Sequence, residues 1–180
     1  MRFQIDHEIE APLEAVEKAL LSPDFAPRLK RSLASVESLQ TVTHDLGDTE
    51  LVRVWRFQAR APLGILKGFA AAGEWLSWEE RVRYQLADHR ARWRIVPQGD
   101  DSPTAPWRKY FAAEGLYQLD ALTADRTRRT VSGELTVRIK LMGRLVERAA
   151  LRELRRAYAA EVAVMGSFNR TTEQQRGNLR

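Results

Sequence analysis

The chain has 180 residues, 29 Lys+Arg against 24 Asp+Glu for a net charge of +5, and no cysteine. A chain of this length buries roughly 70% of the surface its unfolded form exposes, so one domain can fold without staples, and the lack of Cys excludes disulfides, thiolate catalysis and sulfur-ligated metals. The basic excess is small, arginine supplies 24 of the 29 basic residues, and no basic block, zinc-finger spacing or RNA-binding aromatic motif accompanies it, so nucleic acid is not an expected partner.

The first element is read from alternation. Phe3, Ile5, His7 and Ile9 share one face of a strand, and Gln4, Asp6 and Glu8 the other. A secretory signal needs a continuous apolar core, which this start lacks, and no later run is long enough to span a bilayer, so the cytoplasm is the expected address. Pro12 suits the first turn of a helix, and Leu13, Val16, Ala19 and Leu20 recur at helical spacing up to Ser22-Pro23-Asp24. That tripeptide opens a second short helix through Phe25 and Leu29, ending near Arg31. From residue 33 to 139 the period becomes two. Strands are predicted at 34–43, 50–60, 74–86, 90–97, 109–121 and 128–139, separated by turn signals at Leu46-Gly47-Asp48, Ala87-Asp88-His89, Gln98-Gly99-Asp100-Asp101-Ser102-Pro103 and Ala124-Asp125. Helical spacing returns from Gly143 to about Asn169, and Arg170 to Arg180 is polar enough to fray.

The order is therefore β, α, α, six β, long α, an α+β arrangement of seven antiparallel strands in which the only large partner for the sheet is the terminal helix. With the junction Ile139-Lys140-Leu141-Met142-Gly143-Arg144-Leu145-Val146-Glu147-Arg148, this order resembles the helix-grip fold of the START and pollen-allergen superfamily, SRPBCC, and in particular bacterial members with no assigned function. The superfamily includes polyketide cyclase-like and lipid-transfer proteins. The resemblance covers residues 1–169 as one domain, leaving 170–180 as a tail, and implies a cavity between a curved sheet and the C-terminal helix.

Parity places Trp55 and Phe57; Leu76, Trp78, Glu80, Val82 and Tyr84; Trp93 and Ile95; Phe111, Tyr117 and Leu119; and Val131, Leu135 and Val137 on the inner face of the sheet. Arg81, Arg83, Arg92, Arg94, Glu114 and Glu134 take the outer face. Ala113, Gly115 and Gly133 are small and inward, so either the helix backbone approaches closely there or space is left for a guest. On the helix, Glu147, Leu151, Leu154, Tyr158, Val162, Met165 and Phe168 form one stripe, while Arg144, Arg148, Arg152, Arg155 and Arg156 fall on other sides. Burying an aliphatic or aromatic side chain contributes on the order of 1.5–3 kcal/mol and an exposed ion pair about 0–1, so the apolar stripe sets the orientation and the arginines are solvated.

The candidate ligand-binding residues are Arg53, Trp55, Phe57, Trp78, Glu80, Trp93, Tyr117, Tyr158 and Met165. Tyr158 offers a hydroxyl and Met165 an adaptable thioether, and both could equally be core filler. Arg53 and Glu80 fall inward on strands expected to be neighbours, where a buried charge persists only if paired or functional. They are expected to pair across the pocket, with Arg53 available to a ligand carboxylate or polar head, or else to form an ordinary pair at the sheet rim. Catalysis has little support: His7, His44 and His89 are dispersed, and there is no HExxH, nucleophile elbow, P-loop or dinucleotide fingerprint, so no metal or cofactor is expected. Some relatives in the superfamily are cyclases or hydrolases with inner-face Arg, His or Tyr as acid and base, roles that His7 and Tyr117 match by position type only. The favoured function is binding, and possible transport, of a hydrophobic lipid-, sterol- or polyketide-like molecule, with Pro62–Phe69 and Gln98–Trp107 as candidate gates. The alternatives are a cyclase or aromatase, and an accessory domain that docks weakly on a partner or an anionic membrane through the arginine face.

Overall fold

The computed structural model describes residues 1–60, 77–97, 102–138 and 143–177, with side chains throughout these except at 106, 107 and from 169 onward. The strands are β1 (Arg2–Ile9), β2 (Val36–Leu46), β3 (Glu50–Ala59), β4 (Ser77–Gln85), β5 (Arg90–Pro97), β6 (Phe111–Thr123) and β7 (Arg126–Val137); the helices are α1 (Leu13–Leu21), α2 (Phe25–Ser32) and α3 (Gly143–Gly177), with a 3-10 turn at Pro106–Lys109. All seven strands form one sheet in the order β1-β7-β6-β5-β4-β3-β2, every pair antiparallel. Register shifts at Val36/Ser38, Thr41/Thr43 and Ala121/Thr123 bend β2 and β6, and such bulges add twist that lets a sheet curl around a helix.

Alternation decides which face the curl encloses. Trp55, Phe57, Val82, Tyr84, Trp93, Phe111, Tyr117, Leu119, Val131, Leu135 and Val137 are buried in a common core, and Trp78 and Ile95 are half-buried against it. Leu76 and the candidate gate at 62–69 lie outside the described residues, as do Gln98 to Asp101 of the second gate. The outer face is not uniformly solvated. Val96 and its register partner Glu79 are both buried there, and Glu79 accepts from both Nε and Nη2 of Arg56 (3.2 and 2.7 Å) and of Arg81 (3.1 and 2.8 Å). Those bonds outweigh the cost of burying the carboxylate and hold its pKa below the ordinary glutamate value.

α3 buries Val146, Ala149, Tyr158, Glu161, Val164 and Met165, a face turned from the expected stripe toward Ala150, Ala157 and Glu161. The helix also runs past the expected end near Asn169, to Gly177. Glu147, expected in the buried stripe, instead accepts a hydrogen bond from the backbone N–H of Val137 at 2.9 Å and ties the end of β7 to the first turn of α3. Close approach at this corner explains Gly143, where a Cβ would lie 2.4 Å from the Val137 carbonyl oxygen. α2 closes one end: Phe25 stacks on Trp55 at 5.8 Å and meets Phe168 at 6.1 Å, and the Arg28 guanidinium covers Phe168 at 4.0 Å.

Gly115 and Gly133 resolve the choice between helix approach and guest space in a third way. They are directly opposite in register, and the indole of Trp93 on the adjacent strand lies across both, 2.8 and 2.6 Å from where their Cβ atoms would be. The two glycines make room for a tryptophan of the sheet itself, so this part of the inner face is filled. Phe3 completes the packing, 6.0 Å from the same indole.

Candidate functional site

A cavity of about 530 Å³ opens where α2 and β2 meet α3, between the inner face of the sheet and the helix. That volume falls within the range of small-molecule sites, roughly 300–1,000 Å³. Its walls are mainly apolar: Leu29 and Leu33 from the α2 end, Phe57 and Trp78 from the sheet, Val146 and Leu154 from α3. Phe57 and Trp78 are directly opposite each other in the β3–β4 register, and their rings stack at 5.2 Å with an interplanar angle of 2°, which gives one flat aromatic wall. Ala59, Ala150 and Ala157 are also on its surface, and their short side chains are why space remains.

Glu80, Tyr158 and Glu161 form one polar end of the cavity, whose lining also carries Ser32, Ser35, Ser77 and the Arg156–Glu153 ion pair. Behind Glu80 and Glu161 are two buried arginines. Arg53 is 3% exposed and donates from Nη2 to Glu80 at 3.4 Å, while its guanidinium carbon lies 3.5 Å above the Trp55 ring. Arg129 is also 3% exposed, donates from Nη2 to Glu161 at 2.5 Å, and lies between the rings of Tyr117 and Tyr158, 5.2 and 5.0 Å away. The sequence positions account for the first pair, because Arg53 is opposite Val82 and Glu80 opposite Trp55, a diagonal cross-strand neighbourhood that long side chains can bridge. The second pair joins β7 to α3. Nε and Nη1 of both arginines, the Tyr117 hydroxyl, Trp93 Nε1 and His7 Nδ1 are buried without a hydrogen-bond partner among the described residues.

This electrostatic arrangement shifts several groups. Burial, reinforced by the charge of Glu161, raises the pKa of Glu80 to about 7 against the pull of Arg53 and Arg129. Burial raises the hydroxyls of Tyr117 and Tyr158 above the ordinary tyrosine value, so both stay protonated donors. Burial lowers His7, helped by Arg129. Glu80, although paired with Arg53, carries a proton that can come and go near neutrality.

Of the expected site residues, Phe57, Trp78, Glu80 and Tyr158 line the cavity. Arg53 pairs with Glu80 as expected but stands behind it, stacked on Trp55, so it presents no group to the cavity. Trp55, Trp93, Tyr117 and Met165 are core residues that do not reach the cavity, Trp93 because the glycine pair seats it flat on the sheet and Met165 because α3 lays it at 0% exposure within the core. Reasoning from sequence missed Arg129 and Glu161. The signal for Arg129 was present, since it shares parity with Val131, Gly133 and Leu135. Glu161 follows Tyr158 by three positions and precedes Met165 by four, hence the same helix face.

A second polar array lies outside the cavity lining. Glu17 of α1 accepts from the Tyr84 hydroxyl at 2.5 Å and contacts Nδ1 of His89 at 2.8 Å. His89 holds the left-handed φ of 53° in the β4–β5 turn, and Tyr84 stacks on Tyr117 at 5.7 Å. The array ties α1 to the end of β4 and the β4–β5 turn. Among the described residues there is no group of three or more His, Cys, Asp or Glu arranged to hold a metal, and no helix long and apolar enough to cross a membrane.

Comparison with known structures places this architecture. The Zhui aromatase/cyclase from Streptomyces sp. R1128 superposes with a TM-score of 0.63 at 17% identity, covering 96% of this chain and 95% of that one. A START superfamily protein from Mycobacterium smegmatis superposes at 0.56 with 14% identity (92% and 97% covered), and norcoclaurine synthase from Thalictrum flavum at 0.55 with 15% identity (92% and 86%). At these identities the likeness concerns the fold, a START-like helix grip, and leaves the ligand to the chemistry of the cavity. No curated protein matches the chain in sequence. Residues 4–168 match the family described as protein of unknown function (DUF2505), and the chain belongs to that family.

Proposed function

We propose that the protein binds a hydrophobic small molecule in the cavity between the sheet and α3, and that it serves to carry or sequester that molecule. The carrying observation is the 530 Å³ space itself, walled by Leu, Val, Phe, Trp and Ala and ending in a small set of converging polar groups. Such a combination is the usual form of a small-molecule site: apolar area supplies affinity and a few fixed polar atoms supply orientation. Native mass spectrometry of gently purified protein tests this reading. A reproducible added mass from a non-covalent organic ligand, lost when the cavity is filled by Ala157→Phe, is the expected result; the same added mass on the filled variant would refute it.

A second reading, proton-transfer catalysis on the bound molecule, is favoured by one observation. Glu80 lines the cavity beside Tyr158 and Glu161 and titrates near neutrality, as an acid–base group must to work in both directions. Chemical alteration of a bound ligand by the parent protein and not by Glu80→Gln would support it, and unaltered ligand after prolonged incubation would count against it.

A further inference from the structure

We infer that the polar end of the cavity selects a ligand head that donates hydrogen bonds, a hydroxyl or a protonated amine, and rejects a carboxylate. This rests on the binding reading above and specifies the chemistry of the same site. Two arginines in a buried cluster suggest an anion site at first sight, but their placement opposes it. Arg53 and Arg129 do not touch the cavity; Glu80 and Glu161 do, and stand between the guanidinium groups and the open space. Each carboxylate accepts one hydrogen bond, through Oε2, from its arginine. Oε1 of each has no donor among the described residues. The unused donors of the arginines, Nε and Nη1, are buried, and neither arginine is among the residues that line the cavity.

An independent feature points the same way. Tyr158 is 5% exposed, it lines the cavity, and its hydroxyl has no protein partner among the described residues. A head group entering this end therefore meets two carboxylate acceptors and one hydroxyl. A ligand O–H or N–H can satisfy them, with the tyrosine hydroxyl returning a hydrogen bond to an alcohol oxygen. A ligand carboxylate at this end would meet the tyrosine as donor and two like charges beside it, with the arginine Nη2 groups already engaged by those carboxylates. The aromatic wall of Phe57 and Trp78 then holds the apolar body.

The test uses ligands with one apolar body and three heads: 2-(2-naphthyl)ethanol, 2-(2-naphthyl)ethylamine and 2-naphthylacetate, each displacing Nile red from the full chain at pH 8. Hydrogen bonds to a charged acceptor predict that the alcohol and the ammonium compound bind at least about 10-fold more tightly than the acetate. Glu80→Gln, which keeps an acceptor oxygen and removes the charge, should weaken the ammonium compound by about 10-fold and leave the alcohol within about 3-fold. If the acetate binds as well as or better than the others, the head-group assignment fails while the binding reading stands. If Nile red is not bound saturably at all, the binding reading itself fails. The head series on the unaltered protein gives the answer even if the variant does not fold.

Discussion

Glu80→Gln isolates the balance between burial and ion pairing at the polar end of the cavity. In the unfolded chain Glu80 gives up its proton near 4.5, and in the folded protein only near 7, because burial and Glu161 outweigh Arg53 and Arg129. Between those values the folded state keeps a proton that the unfolded state has lost. Stability from this group is thus fully present below pH 4.5 and disappears as pH rises toward 7, the opposite of a carboxylate whose pKa is depressed by its salt bridge. The difference of roughly two and a half pH units corresponds to about 3 kcal/mol at ~1.36 kcal/mol per unit. Glutamine has the same shape and does not titrate. Urea unfolding of both proteins at pH 5 and pH 8 should therefore show the variant gaining up to about 3 kcal/mol relative to the parent as pH rises, with equal m-values. Relative loss of stability by the variant over that interval would show that the Arg53 pair dominates and would refute the electrostatic reasoning.

Other outcomes follow from the same geometry. Gly133→Ala puts a methyl group about 2.6 Å from both the Glu114 carbonyl and the Trp93 ring, so a loss of about 1–3 kcal/mol is expected in urea melts, with partial relief in the double variant with Trp93→Leu; an effect under half a kilocalorie would contradict the flat seating of the indole. Trp78→Ala removes half of the aromatic wall and should weaken Nile red binding by about 10-fold or more, whereas Trp93→Phe, in the core, should change stability and leave affinity within about 2-fold. Glu147→Ala leaves the Val137 N–H without its acceptor and should cost about 1 kcal/mol, detectable as faster amide exchange at the end of β7.

The strand ladder was legible because parity is strict: one residue of slip would move Trp55, Phe57 and Val82 to solvent, so residue pattern and register had to agree. The same parity found the Arg53–Glu80 pair. It could not show which of two paired groups stands in front, because that depends on the guanidinium lying back on Trp55. Nor could it show whether small residues leave a hole. Gly115 and Gly133, which left helix approach and guest space equally open, are filled by Trp93, while Ala59, Ala150 and Ala157, which attracted no notice, border the real cavity. Small residues mark close approach, and only three-dimensional packing says what approaches. On α3 the helical stripe was read from the large apolar residues, which biased it toward Leu151 and Val162 and away from the alanines and Glu161 that face the cavity.

Equilibrium titration with Nile red, comparing the parent protein with Ala157→Phe, tests the central claim most directly. A saturable one-to-one spectral shift in the parent, reduced at least about 10-fold in a variant of equal or higher thermal midpoint, is the result expected of a ligand cavity between sheet and helix. Equal binding by the two proteins would place the dye elsewhere and contradict the account.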